Sequence, residues 1–182
     1  MTKLKGIILM GLLTFLSACS SGHKISNYEG AEPTMGVQEY FTGPIKAWGI
    51  VQDHTGKVTR RFDVDLYGSW DGDVGTLDEQ FLYYDGEKQT RVWTIEKTGD
   101  RKFKGTAGDI LGQADGESAG NAMRWAYEMD LDVGDKTYRI KFDDWMFLMN
   151  DGVLINRSYL KKFGFTVAEL TLFMQKQEPE NE

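Results

Sequence analysis

Met123-Arg124-Trp125-Ala126-Tyr127-Glu128-Met129-Asp130-Leu131 decides the fold class. Large apolar side chains take the odd positions and Arg124, Glu128 and Asp130 fall between them. A period of two puts the two sets on opposite faces of an extended chain, whereas a helix would scatter the same apolar residues around its circumference. The stretch predicts a half-buried strand. Phe62, Val64 and Leu66 set against Arg61, Asp63 and Asp65 repeat the pattern, as do Tyr138, Ile140 and Phe142 set against Thr137, Arg139 and Lys141.

Outward from these strands the chain is punctuated at short intervals. Thr55-Gly56, Asp71-Gly72, Asp85-Gly86, Thr98-Gly99, Asp115-Gly116, Gly134-Asp135 and Asp151-Gly152 all read as turns, since Asp and Gly tolerate the positive φ that tight hairpins require. No long amphipathic helix is evident. The pattern predicts an all-β domain, an antiparallel up-and-down meander of about 8–9 strands closing into a lipocalin-like (calycin-like) barrel. A two-sheet β-sandwich is the alternative. The longest stretch without clear alternation, residues 108–120 (GDILGQADGESAG), lacks the Gly-Lys-Ser/Thr of a phosphate-binding loop and reads as an acidic loop or lid.

The composition fits one globular domain: 182 residues, 41% hydrophobic, 13% aromatic, 27% charged, with a single Cys. A disordered chain would carry fewer aromatics and a disulfide scaffold would need several cysteines. The 28 acidic residues outnumber the 21 basic ones, for a formal charge of −7. With no cationic cluster, this argues against a nucleic-acid partner.

The N-terminus reads as an address. Lys3 and Lys5 precede an apolar run from Gly6 to Leu16 that is too short to span a bilayer comfortably, and Ser17-Ala18 stand just before Cys19. These are the parts of a cleavable secretory signal. Leu16-Ser17-Ala18-Cys19 resembles the bacterial lipobox, in which the cysteine becomes the first mature residue and carries a diacylglycerol on sulfur and an acyl chain such as palmitate on its amine. Several acyl chains give stable attachment where one is marginal. Ser20, in place of Asp, implies sorting to the outer membrane. The expected organisation is a signal peptide over 1–18, lipidated Cys19 and a flexible tether over 19–39, a single barrel domain over 40–176, and a polar tail over 177–182.

Pairing strands across their turns sorts the polar side chains by face. A turn at Asp85-Gly86-Glu87 sets Phe81 opposite Arg91 and Glu79 opposite Trp93, and places Leu77, Glu79, Phe81, Tyr83, Arg91, Trp93 and Ile95 on the inner face. Extending the same parity adds Phe103, Gly105, Ala107 and Asp109, then Trp125 and Tyr127, then Asp144 among Ile140, Phe142, Met146 and Leu148. The candidate ligand-binding set is therefore Glu79, Arg91, Trp93, Asp109, Trp125, Tyr127 and Asp144. A charge inside a barrel is costly unless paired, so Arg91 is expected to contact at least one of these carboxylates. Such a cluster serves either as an architectural plug or as an anchor for a ligand's head group. Tyr83, Tyr127 and Arg91 would suit a carboxylate head, against which the three acids count.

Catalytic signatures are sparse. His23 falls in the expected tether and His54 beside a turn, and no Ser-His-Asp or Cys-His arrangement is supported. Asp71-Gly72-Asp73-Val74-Gly75 lacks the later ligands of a calcium loop and reads as a turn. Asp78-Glu79 and Asp143-Asp144 alternate to opposite faces, so neither is an acid–base pair. No catalytic residue, metal site or cofactor is expected.

Several blocks together resemble one family: KVTRRF from Lys57, LDEQFLYYDGEKQTRVW from Leu77, GNAMRWAYEMDL from Gly120, FDDWMFLMNDGVLINRS from Phe142 and KKFGFTVAELTL from Lys161. They are similar to the bacterial lipoproteins grouped as domain of unknown function 3833, over about 41–173. The resemblance implies a lipidated envelope protein of Gram-negative bacteria on the periplasmic face of the outer membrane. It also implies a role near lipid chemistry, since members tend to be encoded beside genes resembling fatty-acid-modifying enzymes. It supplies no activity or catalytic residue. Three functions are expected in order: binding or carrying an apolar or amphiphilic ligand such as a lipid or fatty acid; a structural or accessory role docking a protein partner; and a lipid-modifying accessory enzyme.

Overall fold

The computed structural model describes residues 23–178. Ten strands run in sequence: β1 (Gly43–Asp53), β2 (Val58–Asp71), β3 (Val74–Tyr83), β4 (Lys88–Gly99), β5 (Lys102–Ala107), β6 (Ile110–Ala119), β7 (Ala122–Val133), β8 (Lys136–Leu148), β9 (Val153–Lys162) and β10 (Phe165–Lys176). Each pairs antiparallel with its neighbours in the chain, and β1 pairs with β10, Ala47 opposite Met174 and Val51 opposite Leu170, to close the barrel. Closure removes both sheet edges and excludes the sandwich. Residues 123–131 lie within β7, with Met123, Trp125 and Met129 buried.

The count exceeds the expected 8–9 chiefly at residues 108–120, which contain all of β6 rather than forming an acidic loop or lid. Asp115-Gly116 accordingly lies within a strand and makes no turn; Gly116 pairs with Trp125 on β7 and Phe103 on β5. A glycine belongs there because a Cβ at Gly116 would sit 2.7 Å from the Trp125 ring. The missing side chain is room for an indole, which the sequence pattern registers only as broken alternation.

The β3–β4 hairpin corrects one pairing. Tyr83 N–H donates to Glu87 O at 2.9 Å, so the loop is Tyr84-Asp85-Gly86 and Glu79 faces Arg91, Leu77 faces Trp93 and Phe81 faces Gln89. The register differs by two residues from the expected one, and a shift of two leaves every side chain on its assigned face.

One end of the barrel is plugged. The N-terminal segment reaches it through a 3-10 turn (Ile25–Tyr28) and a short helix, α1 (Val37–Tyr40). Val37, Tyr40 and Phe41 are buried in the main core. Met35 N–H donates to Gly120 O at 2.7 Å, Gln38 Nε2 to Gly72 O at 2.9 Å, Trp70 Nε1 to Phe41 O at 3.0 Å and the Tyr40 hydroxyl to Gly152 O at 3.3 Å. Lys176 Nζ donates to the carbonyls of Glu39, Tyr40 and Thr42, satisfying groups that the end of α1 leaves unpaired. Much of the segment expected as tether is thus packed: Met35 is 5% exposed and His23 stacks on Trp145 with ring centroids 3.8 Å apart. Its polar composition hid the few apolar residues that hold it. Cys19 and the signal sequence lie outside the described residues. Among those described, no helix is long and apolar enough to cross a membrane.

The opposite end carries the β1–β2, β3–β4, β5–β6, β7–β8 and β9–β10 turns. At the last of these Phe163 (φ 52°) and Gly164 (φ 84°) both have positive φ, and Phe163 and Phe165 are 89% and 75% exposed.

Candidate functional site

The barrel encloses a cavity of ≈ 110 Å³. Its walls are mostly apolar, and its floor is made by Val37 and Phe41 of the plug. Strand direction orders the lining along the barrel axis. Leu77, Ile95, Met123, Met146 and Met174 lie toward the plugged end, and Glu79, Arg91, Tyr127 and Asp144 form a polar belt about midway along their strands. Between the belt and the open end, Met129, Ile140, Phe142 and Leu160 make a second buried cluster.

The structure brings six of the seven expected residues, Glu79, Arg91, Trp93, Trp125, Tyr127 and Asp144, to the cavity wall. Asp109 is in the β5–β6 turn and meets the belt through Arg91. Arg91 Nη2 lies 2.7 Å from Asp109 Oδ2, its Nε donates to the same oxygen at 2.8 Å, and its Nη1 is 3.8 Å from Glu79 Oε2. The expected pairing of Arg91 with a carboxylate is therefore present, and it involves two, the largely buried Glu79 and the half-buried Asp109. Across the interior, the Tyr127 hydroxyl donates to Asp144 Oδ2 at 3.0 Å. The Tyr127 ring stacks on Phe142 at 4.9 Å and meets Trp93 edge-on at 5.5 Å. These packed rings fix the hydroxyl's direction.

Parity also places two inner-face residues that the expected set omits. Asn156 and Ser158 on β9 are buried; Ser158 Oγ donates to Asn156 Oδ1 at 3.1 Å, and Asn156 Nδ2 donates to Trp145 O at 3.3 Å. The alternation Leu154, Asn156, Ser158, Leu160 carried the signal, but uncharged polar residues do not mark a face as ionised ones do. Asn156 lines the cavity.

Burial controls the protonation of the belt. It pushes Glu79 up to about 7, with Arg91 opposing and Asp109 adding to the rise. It pushes Asp144 up to about 6 against the stabilising hydroxyls of Ser158 and Tyr127. Tyr127 is raised well above its ordinary value by burial and by the Asp144 charge, so it stays a neutral donor. One oxygen each of Glu79, Asp109 and Asp144 is buried with no hydrogen-bond partner in the protein. Each such atom carries an unreturned desolvation cost of about 1–3 kcal/mol. Chemically, the arrangement can bind hydrogen-bond donors and hold a proton near neutral pH. Among the described residues no cluster of three His, Cys, Asp or Glu could hold a metal ion.

His23 and His54 are exposed and far from this interior in role: His23 packs on Trp145 and Tyr28 outside the barrel. Asp71-Gly72-Asp73 contains the β2–β3 turn. Asp143 points away from Asp144, to Arg124 Nε at 2.7 Å and to Lys161 Nζ at 2.5 Å.

No curated protein matches the chain. The family model described as a protein of unknown function, DUF3833, matches residues 13–176, a span that contains all ten strands. The chain belongs to the DUF3833 family.

Proposed function

We propose that the protein binds or carries an apolar or amphiphilic, lipid-like molecule inside its barrel, at the periplasmic face of an outer membrane to which acylated Cys19 tethers it. The observation that carries this reading is an apolar chamber inside the barrel, bordered by one belt of polar groups among which carboxylate oxygens lack partners within the protein. In ligand sites, apolar walls supply affinity and a few convergent polar groups fix orientation. The lipobox at Cys19 and the likeness to lipoproteins support the location.

The cavity volume limits the ligand. At ≈ 110 Å³ it is below the roughly 300–1,000 Å³ that accommodates a drug-sized molecule. It suits one slim chain, with Met123, Met146 and Met174 in its walls as the side chains best able to change rotamer around a guest. Native mass spectrometry of protein extracted from its own host tests the reading. A co-purifying amphiphile is expected, and a barrel that is always empty of lipid would refute it.

A second reading, an accessory protein that docks a partner, draws on Phe163 and Phe165 exposed together at the open end. Crosslinking in intact cells separates the two, since a carrier should give no single dominant protein partner.

A further inference from the structure

The polar belt constrains the chemistry of the head group. Arg91 is already engaged, with Nη2 and Nε on Asp109 Oδ2 and Nη1 near Glu79. The Tyr127 hydroxyl is committed to Asp144, Asn156 bonds to Trp145 O, and Ser158 bonds to Asn156 while its hydroxyl also favours the Asp144 charge, as Trp93 favours that of Glu79. The belt atoms left without partners, Glu79 Oε2, Asp109 Oδ1 and Asp144 Oδ1, are all carboxylate oxygens. Glu79 and Asp144 line the cavity, and Asp144 is only 7% exposed.

An anionic head would bring more acceptors and more negative charge to a place holding three carboxyl groups and one cation. The Arg91 donor not already bonded, Nη1, stands 3.8 Å from Glu79 Oε2, so an anion accepting from it would also face that carboxylate. An O–H or N–H supplies what the carboxylates lack, and a protonated amine adds charge complementarity. We propose that the cavity takes a slim apolar chain ending in a hydrogen-bond-donating, non-anionic head, an alcohol or a protonated amine, that donates to Glu79 and Asp144. The chain lies among Leu77, Ile95, Met123, Met146 and Met174 toward the plug, and the head stops at the belt. This inference rests on the ligand-binding reading above and narrows it against free fatty acids.

Calorimetric titration of the full chain with octylamine, octanol and octanoate at about pH 8 tests it, because there Glu79 and Asp144 are largely ionised. Octylamine should bind about tenfold or more tightly than octanoate, with octanol also ahead of octanoate. Asp144→Asn should remove most of the octylamine preference, and Glu79→Gln provides the same measurement if Asp144→Asn does not fold. Octanoate binding as tightly as octylamine, or an unchanged preference in the folded variants, overturns the head-group assignment and leaves the cavity reading standing. Failure of all three compounds to bind overturns the cavity reading and this inference with it.

Discussion

Raising the pH from about 5 to about 8 should destabilise the protein, and the loss should trace to two side chains. Burial lifts Glu79 from an ordinary 4.5 to about 7 and Asp144 from 3.8 to about 6. Both carboxyls bind protons more tightly folded than unfolded. Their contribution is therefore fully present below the unfolded values and is lost as pH rises through about 6 and then about 7. Each unit of difference is worth about 1.4 kcal/mol. Across that window Glu79 should account for about 2–3 kcal/mol of lost stability and Asp144 for about 1–2 kcal/mol. Asp143 does not confuse the result. Although its burial opposes ionisation, Lys161 and Arg124 hold it below the usual carboxylate range, so its effect is confined to more acidic solutions. Urea unfolding followed by tryptophan fluorescence measures the change, since Trp93 and Trp125 line the same cavity. Glu79→Gln should remove more than half of the pH dependence, and combining it with Asp144→Asn should nearly abolish it. A wild-type protein as stable at pH 8 as at pH 5 would refute the reasoning, as would a Glu79→Gln variant with the wild-type slope.

Arg91→Leu should cost about 3–5 kcal/mol, because it strands the Asp109 and Glu79 carboxylates that the guanidinium now serves; a thermal melt matching wild type would show that the pair is not buried in solution. Gly116→Ala should cost about 1–3 kcal/mol and shift the fluorescence of Trp125, whose ring stands 2.7 Å from the added methyl position. Phe163→Gly should raise stability by about 1 kcal/mol in calorimetry, since the residue is almost wholly exposed and holds φ at 52°, where a Cβ is unfavourable.

Strand identity was legible wherever one face is wet and the other dry. β7 and β8 announce themselves because Arg124, Glu128, Asp130, Arg139 and Lys141 interrupt an apolar row. β6 was not legible, since Gly116 replaces the side chain that alternation needs and the register between β6 and β7 shifts between Leu111 and Asp115. The plug was hidden for a different reason. α1 has only four residues, too few for a helical period, and it is held by Lys176 and by turn carbonyls far away in sequence.

The site shows why a face can be read from sequence while a contact cannot. The β3–β4 register was expected two residues away from where it lies, yet Glu79 and Arg91 still fall on the inner wall, because side-chain direction depends only on parity. Which carboxylate holds Arg91 depends on register and on loop geometry, and Asp109 reaches it from a turn, where parity has no meaning. Hollowness is less accessible still. The ≈ 110 Å³ left inside the barrel is what remains after packed rings and three methionines divide the interior, and a rotamer change in one of them is comparable in size to the cavity that decides whether a ligand fits. The unpartnered oxygens of Glu79 and Asp144 are less sensitive to such repacking, since they need donors whatever the volume. For that reason the proposed head-group chemistry, rather than the size of the chamber, is what a search for a ligand should test first.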